Sequence, residues 1–172
     1  IAEAWPLPIV LYNIPGRTGV NMTPETVARL VAASDRFIGI KEASGNVEQM
    51  ERICQSVGRE FFLTSGDDGL TVEAVRRGGV GVLSVLAPLS PAQVKRLTDM
   101  ANEGRYEEAE QLLEALMPVT NSLFEEGNPV GVKTALSTKG ICGATVRLPL
   151  AEGSEALREK QIRLIAEYET AK

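Results

Sequence analysis

The sequence predicts an α/β fold with a parallel sheet, built from strand–helix units and followed by a helical region. Four apolar runs begin near positions 7, 37, 61 and 80, and segments with helical spacing of apolar residues separate them. This spacing suits the βα units of an α/β barrel better than a doubly wound sheet with insertions. Four units cannot close an eight-stranded barrel, and after position 85 the alternation stops.

The predicted strands are short and mostly apolar. Residues 7–13 form a continuous apolar run after a proline, which is typical of a parallel strand covered on both faces. The remaining strands are predicted at 37–41, 61–65 and 80–85, and residues 15–19 are predicted to form a turn-rich loop.

The predicted helices begin at recognisable caps. Thr23 is placed to cap a helix that starts at Pro24 and runs to about residue 33. Further helices are predicted over about 46–57, 70–77, 91–102, 106–126, 129–140 and 154–169, with an extended link at 148–150.

Composition narrows the possible functions. The net charge is −5 with no basic cluster, which argues against nucleic acid or an anionic membrane as the main partner. The chain has no histidine, which excludes Ser-His and Cys-His catalysis and every histidine metal site. Cys54 and Cys142 have no metal or redox spacing and are predicted to be reduced, partly buried thiols of a cytoplasmic protein. The first residue is not methionine, which fits a fragment, a processed product or a partial chain.

Lys41 is the residue with the clearest chemical potential. Side chains alternate along a strand, so Ile38 and Ile40 should face the covering helices while Gly39 and Lys41 share the opposite face. Lysine is almost never fully buried unless it is paired or used, and a desolvated amine is favoured in its neutral, nucleophilic form. The alternative is a lysine at a strand end that simply extends into solvent.

Five motifs in order carry a resemblance to a known family. Residues 11–19 read Leu-Tyr-Asn-Ile-Pro-Gly-Arg-Thr-Gly, 39–45 read Gly-Ile-Lys-Glu-Ala-Ser-Gly, 65–68 read Ser-Gly-Asp-Asp, 78–85 read Gly-Gly-Val-Gly-Val-Leu-Ser-Val, and 128–129 read Asn-Pro. Together they resemble the dihydrodipicolinate synthase / N-acetylneuraminate lyase family of class I aldolases. The resemblance extends over essentially the whole chain.

The resemblance implies a fold and an assembly. Members of the family have a TIM (β/α)8 barrel followed by a C-terminal helical domain. By this likeness, residues 1–103 hold the C-terminal half-barrel with strands five to eight, and residues 104–172 hold the helical domain. The N-terminal half-barrel would then be required for full activity, and the isolated chain is expected to be inactive or weak. The family also implies a homo-oligomer, a dimer of dimers in the full-length members.

The resemblance also implies a mechanism that uses Lys41 and Tyr12. Lys41 would form a Schiff base with pyruvate, and Tyr12, at the end of the neighbouring strand, would relay protons. Gly66 and the backbone of Leu83 would line the pyruvate pocket. No separate cofactor is expected, because the Schiff base with the substrate does the work of one. For Tyr12 the alternative is a core aromatic residue with a satisfied hydroxyl group.

Arg17 helps to distinguish between the activities found in the family. It resembles the arginine that binds the carboxylate of aspartate semialdehyde, which implies synthesis of 4-hydroxy-tetrahydrodipicolinate in lysine (diaminopimelate) biosynthesis. The alternatives are another pyruvate-dependent 2-keto acid aldolase, in which Arg17 is only a solvated loop residue, and a non-catalytic half-barrel module. The family's threonine pair and second tyrosine lie in its N-terminal half and have no counterpart here. Asp67 and Asp68 are predicted to cap a helix rather than to bind a metal.

Overall fold

The computed structural model describes residues 2–58 and 60–170. By its contacts the chain forms two compact units, Ile1–Ser84 with Thr98–Tyr106 and Val85–Leu97 with Glu107–Lys172. The first unit is α/β and contains a parallel sheet, as predicted, and the second is helical. The predicted domain limits, 1–103 and 104–172, stay a prediction.

The sheet of the first unit has four parallel strands in the order β1-β2-β3-β4. They are Ile9–Asn13 (β1), Phe37–Glu42 (β2), Phe62–Ser65 (β3) and Gly81–Val82 (β4). Sequential order in a parallel sheet is the arrangement that successive βα units produce. All four strands therefore end at the same edge of the sheet.

Short helices connect these strands, and longer helices follow them along the chain. They are α1 (Pro15–Thr18), α2 (Pro24–Ala33), α3 (Val47–Ser56), α4 (Thr71–Arg76), α5 (Pro91–Asn102), α6 (Tyr106–Ser122), α7 (Val130–Thr138) and α8 (Glu155–Thr170), with a 3₁₀ turn at Asp68–Leu70 before α4. The Thr23 side chain accepts a hydrogen bond from the Thr26 amide, so the predicted cap of α2 is confirmed. Asn46 caps α3 in the same way through the Gln49 amide.

One face of the sheet carries the hydrophobic core of the first unit. Its buried members come from β2, β3 and the three helices α2, α3 and α4, and they are Val27, Ile40, Met50, Ile53, Leu63 and Ala74. Because strand side chains alternate, the neighbours of Ile40 and Leu63 lie on the opposite face. That opposite face is the one that carries Lys41, as the sequence predicted.

Two predicted segments differ from the structure. The predicted loop at 15–19 contains one turn of helix, α1, because Pro15 has the backbone angle of a first helical position and Gly19 ends the turn in the left-handed conformation (φ 71°). The predicted strand at 80–85 is shortened to β4, which pairs with β3 at the edge of the described sheet. Backbone bonds from Val80 N to Leu63 O (2.8 Å) and from Leu83 N to Ser65 O (2.9 Å) continue the pairing on either side.

The second unit contains a close approach that depends on glycine. A Cβ on Gly131, in α7, would lie 2.2 Å from the carbonyl oxygen of Leu123, which follows α6. The fully buried Gln161 of α8 reinforces this approach, since its Nε2 donates to the carbonyl oxygens of Ser122 and Gly131 at 3.1 Å each. The absence of a side chain at position 131 therefore sets the distance between two helical segments.

We expect Gly131→Ala to destabilise the second unit, because the clash is with main chain that cannot rotate away. The expected loss in free energy of unfolding is about 2–3 kcal/mol, in the upper range for overpacking. Denaturant unfolding followed by circular dichroism measures it. Gly143→Ala is the matched control, because nothing lies within 4 Å of a Cβ there. Equal stability of the two variants would contradict the prediction.

A carboxylate outside α8 holds the start of that helix. Ser154 accepts a hydrogen bond from the Leu157 amide, and its own amide and hydroxyl both donate to Glu126. The Ser154 hydroxyl and then its amide lower the pKa of Glu126 below its ordinary value. A lowered folded-state pKa means that this contribution to stability is present above the ordinary value of 4.5 and is lost as the pH falls through the folded-state value.

We therefore expect Glu126→Gln to lower the melting temperature at pH 7, with the difference from the unmodified protein shrinking below about pH 4.5. Thermal melts between pH 7 and pH 3 measure this difference. Glu159→Gln, at an exposed position of α8, controls for the general effect of losing a charge. A difference that stays constant across the range would rule out the Glu126–Ser154 contact as its source.

The two cysteines differ in exposure. Cys54 is half-buried, as predicted, and burial raises the pKa of its thiol. Cys142 is exposed, so the prediction of partial burial is wrong for it, because it lies in the irregular segment after α7. In the described ranges, no helix is both long and apolar enough to cross a membrane.

Candidate active site

Tyr12 and Lys41 face each other at the C-terminal ends of adjacent strands. The parallel register pairs Tyr12 of β1 directly with Lys41 of β2. The Lys41 Nζ atom lies 4.3 Å from the centroid of the Tyr12 ring. Lys41 is half-buried, whereas Tyr12 is 48% exposed. The structure therefore brings the two predicted catalytic residues into contact on the face opposite the helical core.

Gly66, directly after β3, lies against the Lys41 side chain. A Cβ at this position would lie 3.0 Å from the Lys41 Cε and 2.5 Å from the Cβ of Ala43. The Gly66 amide donates to the Glu42 carbonyl oxygen at 2.7 Å, which holds the end of β3 next to the end of β2. The close backbone approach expected at this glycine is therefore present, and it occurs at the lysine itself.

Gly39 lies two residues before Lys41 on β2 and therefore on the same face of the sheet. A Cβ on Gly39 would lie 2.5 Å from the ring of Phe62. The phenyl ring of β3 thus lies across β2 below Lys41, where any larger residue would displace it.

Leu83 and Arg17 lie in segments that follow strand ends. Leu83 comes directly after β4 and is 49% exposed, and its amide is bonded to the Ser65 carbonyl oxygen. Arg17 is an exposed residue of α1, the helical turn that follows β1. Both belong to the edge of the sheet at which Tyr12 and Lys41 end. The roles of all five predicted residues stay predictions.

Two acidic residues follow β3 and have different surroundings. Asp67 Oδ1 accepts a hydrogen bond from the Gly69 amide at 2.9 Å, so its predicted role as a cap is confirmed. Asp68 is buried, and its Oδ1 accepts a hydrogen bond from the Ser84 hydroxyl. Within residues 2–58 and 60–170, no group of three or more histidine, cysteine, aspartate or glutamate residues is arranged to hold a metal ion.

Sequence reasoning missed one feature of the site, the burial of Glu42. This residue is fully buried behind Lys41, and its carboxylate accepts hydrogen bonds from Asn13, Ser44 and Gln49. A signal was present, since alternation along β2 places Glu42 on the same face as Ile38 and Ile40. A charged residue on an apolar strand face requires polar partners, but the pattern does not name them.

A comparison with protein families now identifies the chain. The model of the dihydrodipicolinate synthetase family matches residues 1–168. The chain belongs to this family. The resemblance drawn from the Tyr12, Lys41 and Asn-Pro motifs is therefore confirmed.

Curated relatives agree with the family. The 4-hydroxy-tetrahydrodipicolinate synthase of Citrifermentans bemidjiense is 44% identical over 168 residues, which is 98% of this chain and 58% of the relative. The corresponding synthase of Thermomicrobium roseum is 44% identical over 96% of this chain and 55% of its own length. The chain thus spans somewhat more than half the length of these family members.

Solved structures of the family superimpose closely. The 4-hydroxy-tetrahydrodipicolinate synthase of Methylacidiphilum fumariolicum SolV matches with a TM-score of 0.92 at 40% identity, over 98% of this chain and 56% of that one. The dihydrodipicolinate synthase of Aquifex aeolicus matches with a TM-score of 0.94 at 34% identity, over 98% of this chain and 57% of that one. The α/β fold with its parallel sheet is therefore that of the family.

Proposed function

We propose that this chain is the half of a 4-hydroxy-tetrahydrodipicolinate synthase that contains the Schiff-base lysine. The synthase is a lyase that condenses pyruvate with aspartate 4-semialdehyde. The observation that carries the proposal is the contact of Lys41 Nζ with the Tyr12 ring, 4.3 Å to its centroid, at the ends of two parallel strands. The names of the curated relatives support the same reaction. By this proposal the activity belongs to lysine (diaminopimelate) biosynthesis in the cytoplasm.

The chemistry proposed for Lys41 proceeds through an imine. Its neutral amine attacks the ketone carbon of pyruvate, and the resulting carbinolamine loses water to form an iminium ion. The iminium withdraws electrons, so the pyruvate methyl group loses a proton and the adduct becomes an enamine. The enamine carbon then adds to the aldehyde carbon of the second substrate, whose oxygen takes up a proton to become a hydroxyl group. This addition restores the iminium on Lys41, and attack on it by the amino group of the second substrate breaks the bond to Lys41 and releases the lysine as an amine.

Tyr12 is proposed to move the protons of these steps. Carbinolamine formation and aldehyde addition each require protonation of an oxygen, and loss of water requires a second protonation. The Tyr12 ring already lies over Lys41, so its hydroxyl belongs to the same small region of the sheet edge. Gly66 contributes by leaving room beside Lys41 Cε, where a side chain would occupy the place of pyruvate.

Arg17 is proposed to bind the carboxylate of aspartate semialdehyde. It is an exposed residue on α1, directly after the strand that carries Tyr12, and a guanidinium group binds carboxylates through two parallel hydrogen bonds. Turnover with aspartate semialdehyde, but not with an uncharged aldehyde of similar size, would support this substrate. Equal turnover with both would favour another pyruvate-dependent aldolase.

We further propose that the first unit is one half of a (β/α)8 barrel, strands five to eight, and that the second is the helical domain of the family. The sheet supports this, because β1 and β4 are its edge strands and the face that carries Tyr12 and Leu83 is half open. Exposed strand edges and apolar faces are normally covered. An N-terminal half-barrel, and assembly into a homo-oligomer, would cover them.

Reductive trapping tests the proposed function. The complete protein as encoded is incubated with pyruvate, reduced with borohydride and analysed by peptide mass spectrometry. We expect one reduced pyruvate adduct per chain, located on Lys41, and none when pyruvate is replaced by acetate. A folded protein that forms no adduct would overturn the proposal. Residues 1–172 alone, trapped in parallel, should form much less adduct.

A further inference from the structure

A buried polar cluster lies directly behind the Tyr12–Lys41 pair. The register pairs Asn13 with Glu42 just as it pairs Tyr12 with Lys41, one residue earlier. Because alternate side chains point to opposite faces, Asn13 and Glu42 form a second pair on the reverse side of the same two strand ends. The Asn13 Nδ2 atom donates to Glu42 Oε2 at 2.8 Å.

Both carboxylate oxygens of Glu42 are used. Oε2 also accepts from Gln49 Nε2 of α3 at 3.1 Å, and Oε1 accepts from the Ser44 amide at 2.6 Å. Glu42 is 0% exposed, and burying a carboxyl group is costly unless it is fully hydrogen-bonded. Replacing Glu42 alone by an apolar residue would leave its three donors buried and unpaired, so the carboxylate is the group that holds them together.

The cluster also holds the segment that follows Arg17. Asn13 Nδ2 donates to Asn21 Oδ1 at 2.8 Å, and Asn13 Oδ1 accepts from the Met22 amide at 2.9 Å. Gln49 completes a closed network of hydrogen bonds, because its Oε1 accepts from Asn21 Nδ2 at 2.9 Å. Four segments thus share one set of hydrogen bonds: the end of β1, the end of β2, the chain that leaves α1 and the first turn of α3.

We propose that Glu42 is a positioning residue for the proposed reaction, acting through the Asn13–Glu42–Gln49 cluster to hold Tyr12, Lys41 and the Arg17 segment in register. The inference rests on the proposed roles of Lys41 and Tyr12. Glu42 itself lies on the opposite face from the substrate and acts only through the strand ends to which it is bonded. A displacement of about 1 Å in a reacting group can cost a hundredfold in rate, so small movements of these ends matter.

The substitution Glu42→Gln isolates the effect, because it keeps the shape but not the hydrogen bonding. All three partners of Glu42 are donors, so the new amide nitrogen must face one of them. Neither Asn13 nor Gln49 can turn its amide to relieve this, since each already uses its oxygen to accept from the segment at 21–22. The strand ends must therefore shift.

Two variants provide matched controls. Ile53→Val removes a methylene from the adjacent core without touching the cluster. Asn13→Asp combined with Glu42→Gln moves the carboxylate to the other side of the same bond. If the bond between positions 13 and 42 does the positioning, this double variant should recover activity that Glu42→Gln alone loses.

Two readouts on the complete protein test the inference. The first is the rate of borohydride-trapped adduct formation at saturating pyruvate, measured apart from the half-saturating concentration. The second is the NMR shift of the Lys41 ε-methylene group without pyruvate, which reports its place over the Tyr12 ring. We expect Glu42→Gln to lower the saturated rate about 10- to 100-fold and to move the Lys41 resonance toward its unstacked value. Ile53→Val should do neither.

The outcomes separate this inference from the proposed function. A Glu42→Gln protein with the rate and Lys41 shift of Ile53→Val would overturn the positioning role. If Glu42→Gln fails to fold, Gln49→Met decides, because it removes only one of the three donors to Glu42 and should cause a smaller change in the same two readouts. If the unmodified protein forms no adduct, the proposed function fails, and the Lys41 shift alone decides whether Glu42 sets the geometry.

Discussion

Replacing Lys41 with arginine should abolish the pyruvate adduct and lower turnover by at least about a thousandfold, the scale seen when a nucleophile is removed. Arginine keeps the positive charge and the long stem over the Tyr12 ring. Its guanidinium group stays protonated and cannot attack a ketone, so the variant separates nucleophilic chemistry from local charge and packing. Borohydride trapping and pyruvate consumption both measure the loss.

Lys95→Arg is the control, since Lys95 is an exposed lysine of α5. It should form the adduct at the normal rate. The melting temperature of Lys41→Arg should stay close to that of the unmodified protein, because Lys41 lies outside the hydrophobic core of the first unit. An adduct that persists in Lys41→Arg would place the nucleophile on another residue.

Gly66→Ala should lower the rate of adduct formation about a hundredfold, the cost of displacing a reacting group by roughly 1 Å. The new methyl group would lie 3.0 Å from Lys41 Cε and 2.5 Å from the Ala43 Cβ. Rotation of the lysine stem relieves only the contact with Cε and takes the amine from the Tyr12 ring. The closer contact with the Ala43 Cβ requires a shift of the strand ends themselves, because Ala43 is held by a backbone bond to Asn13.

Trapping rates compared with those of Gly58→Ala check this effect. Gly58 belongs to the same unit, and nothing lies within 4 Å of a Cβ built there. The Gly66→Ala protein should show its loss in the saturated rate as well as in pyruvate affinity, because both the nucleophile and the space beside it change. A variant that traps pyruvate as fast as Gly58→Ala would show that position 66 does not constrain Lys41.

Elements that depend on neighbouring residues were predicted more accurately than features that depend on distant partners. Local sequence patterns predicted single helices and strands well: the Thr23–Pro24 cap begins α2, and the strand predicted at 37–41 is β2. They failed at 15–19, where a proline and a glycine suggest a loop but also begin and end one helical turn. They overextended β4, because strand length depends on partners that lie elsewhere in the chain.

The candidate site shows the same difference between what local patterns predict and what long-range contacts decide. The motifs predicted that Tyr12 and Lys41 lie at the ends of neighbouring strands, and the structure pairs them in register. The expectation of a close approach at Gly66 was correct in kind, but the sequence did not say that the approached atom is Lys41 Cε. Glu42 was passed over, although its position on an apolar strand face was visible.

By itself, the sequence determined the order of strands and helices, the family, and the two residues, Lys41 and Tyr12, for which imine chemistry is proposed. These follow from periodicity, capping and motif chemistry, which act over a few neighbouring residues. Only the tertiary structure decided that Glu42 joins Asn13 and Gln49 behind the site and that Gly66 touches the lysine stem. Alternation states which face a side chain occupies, but the groups it meets there come from segments up to 29 residues apart and are set by packing.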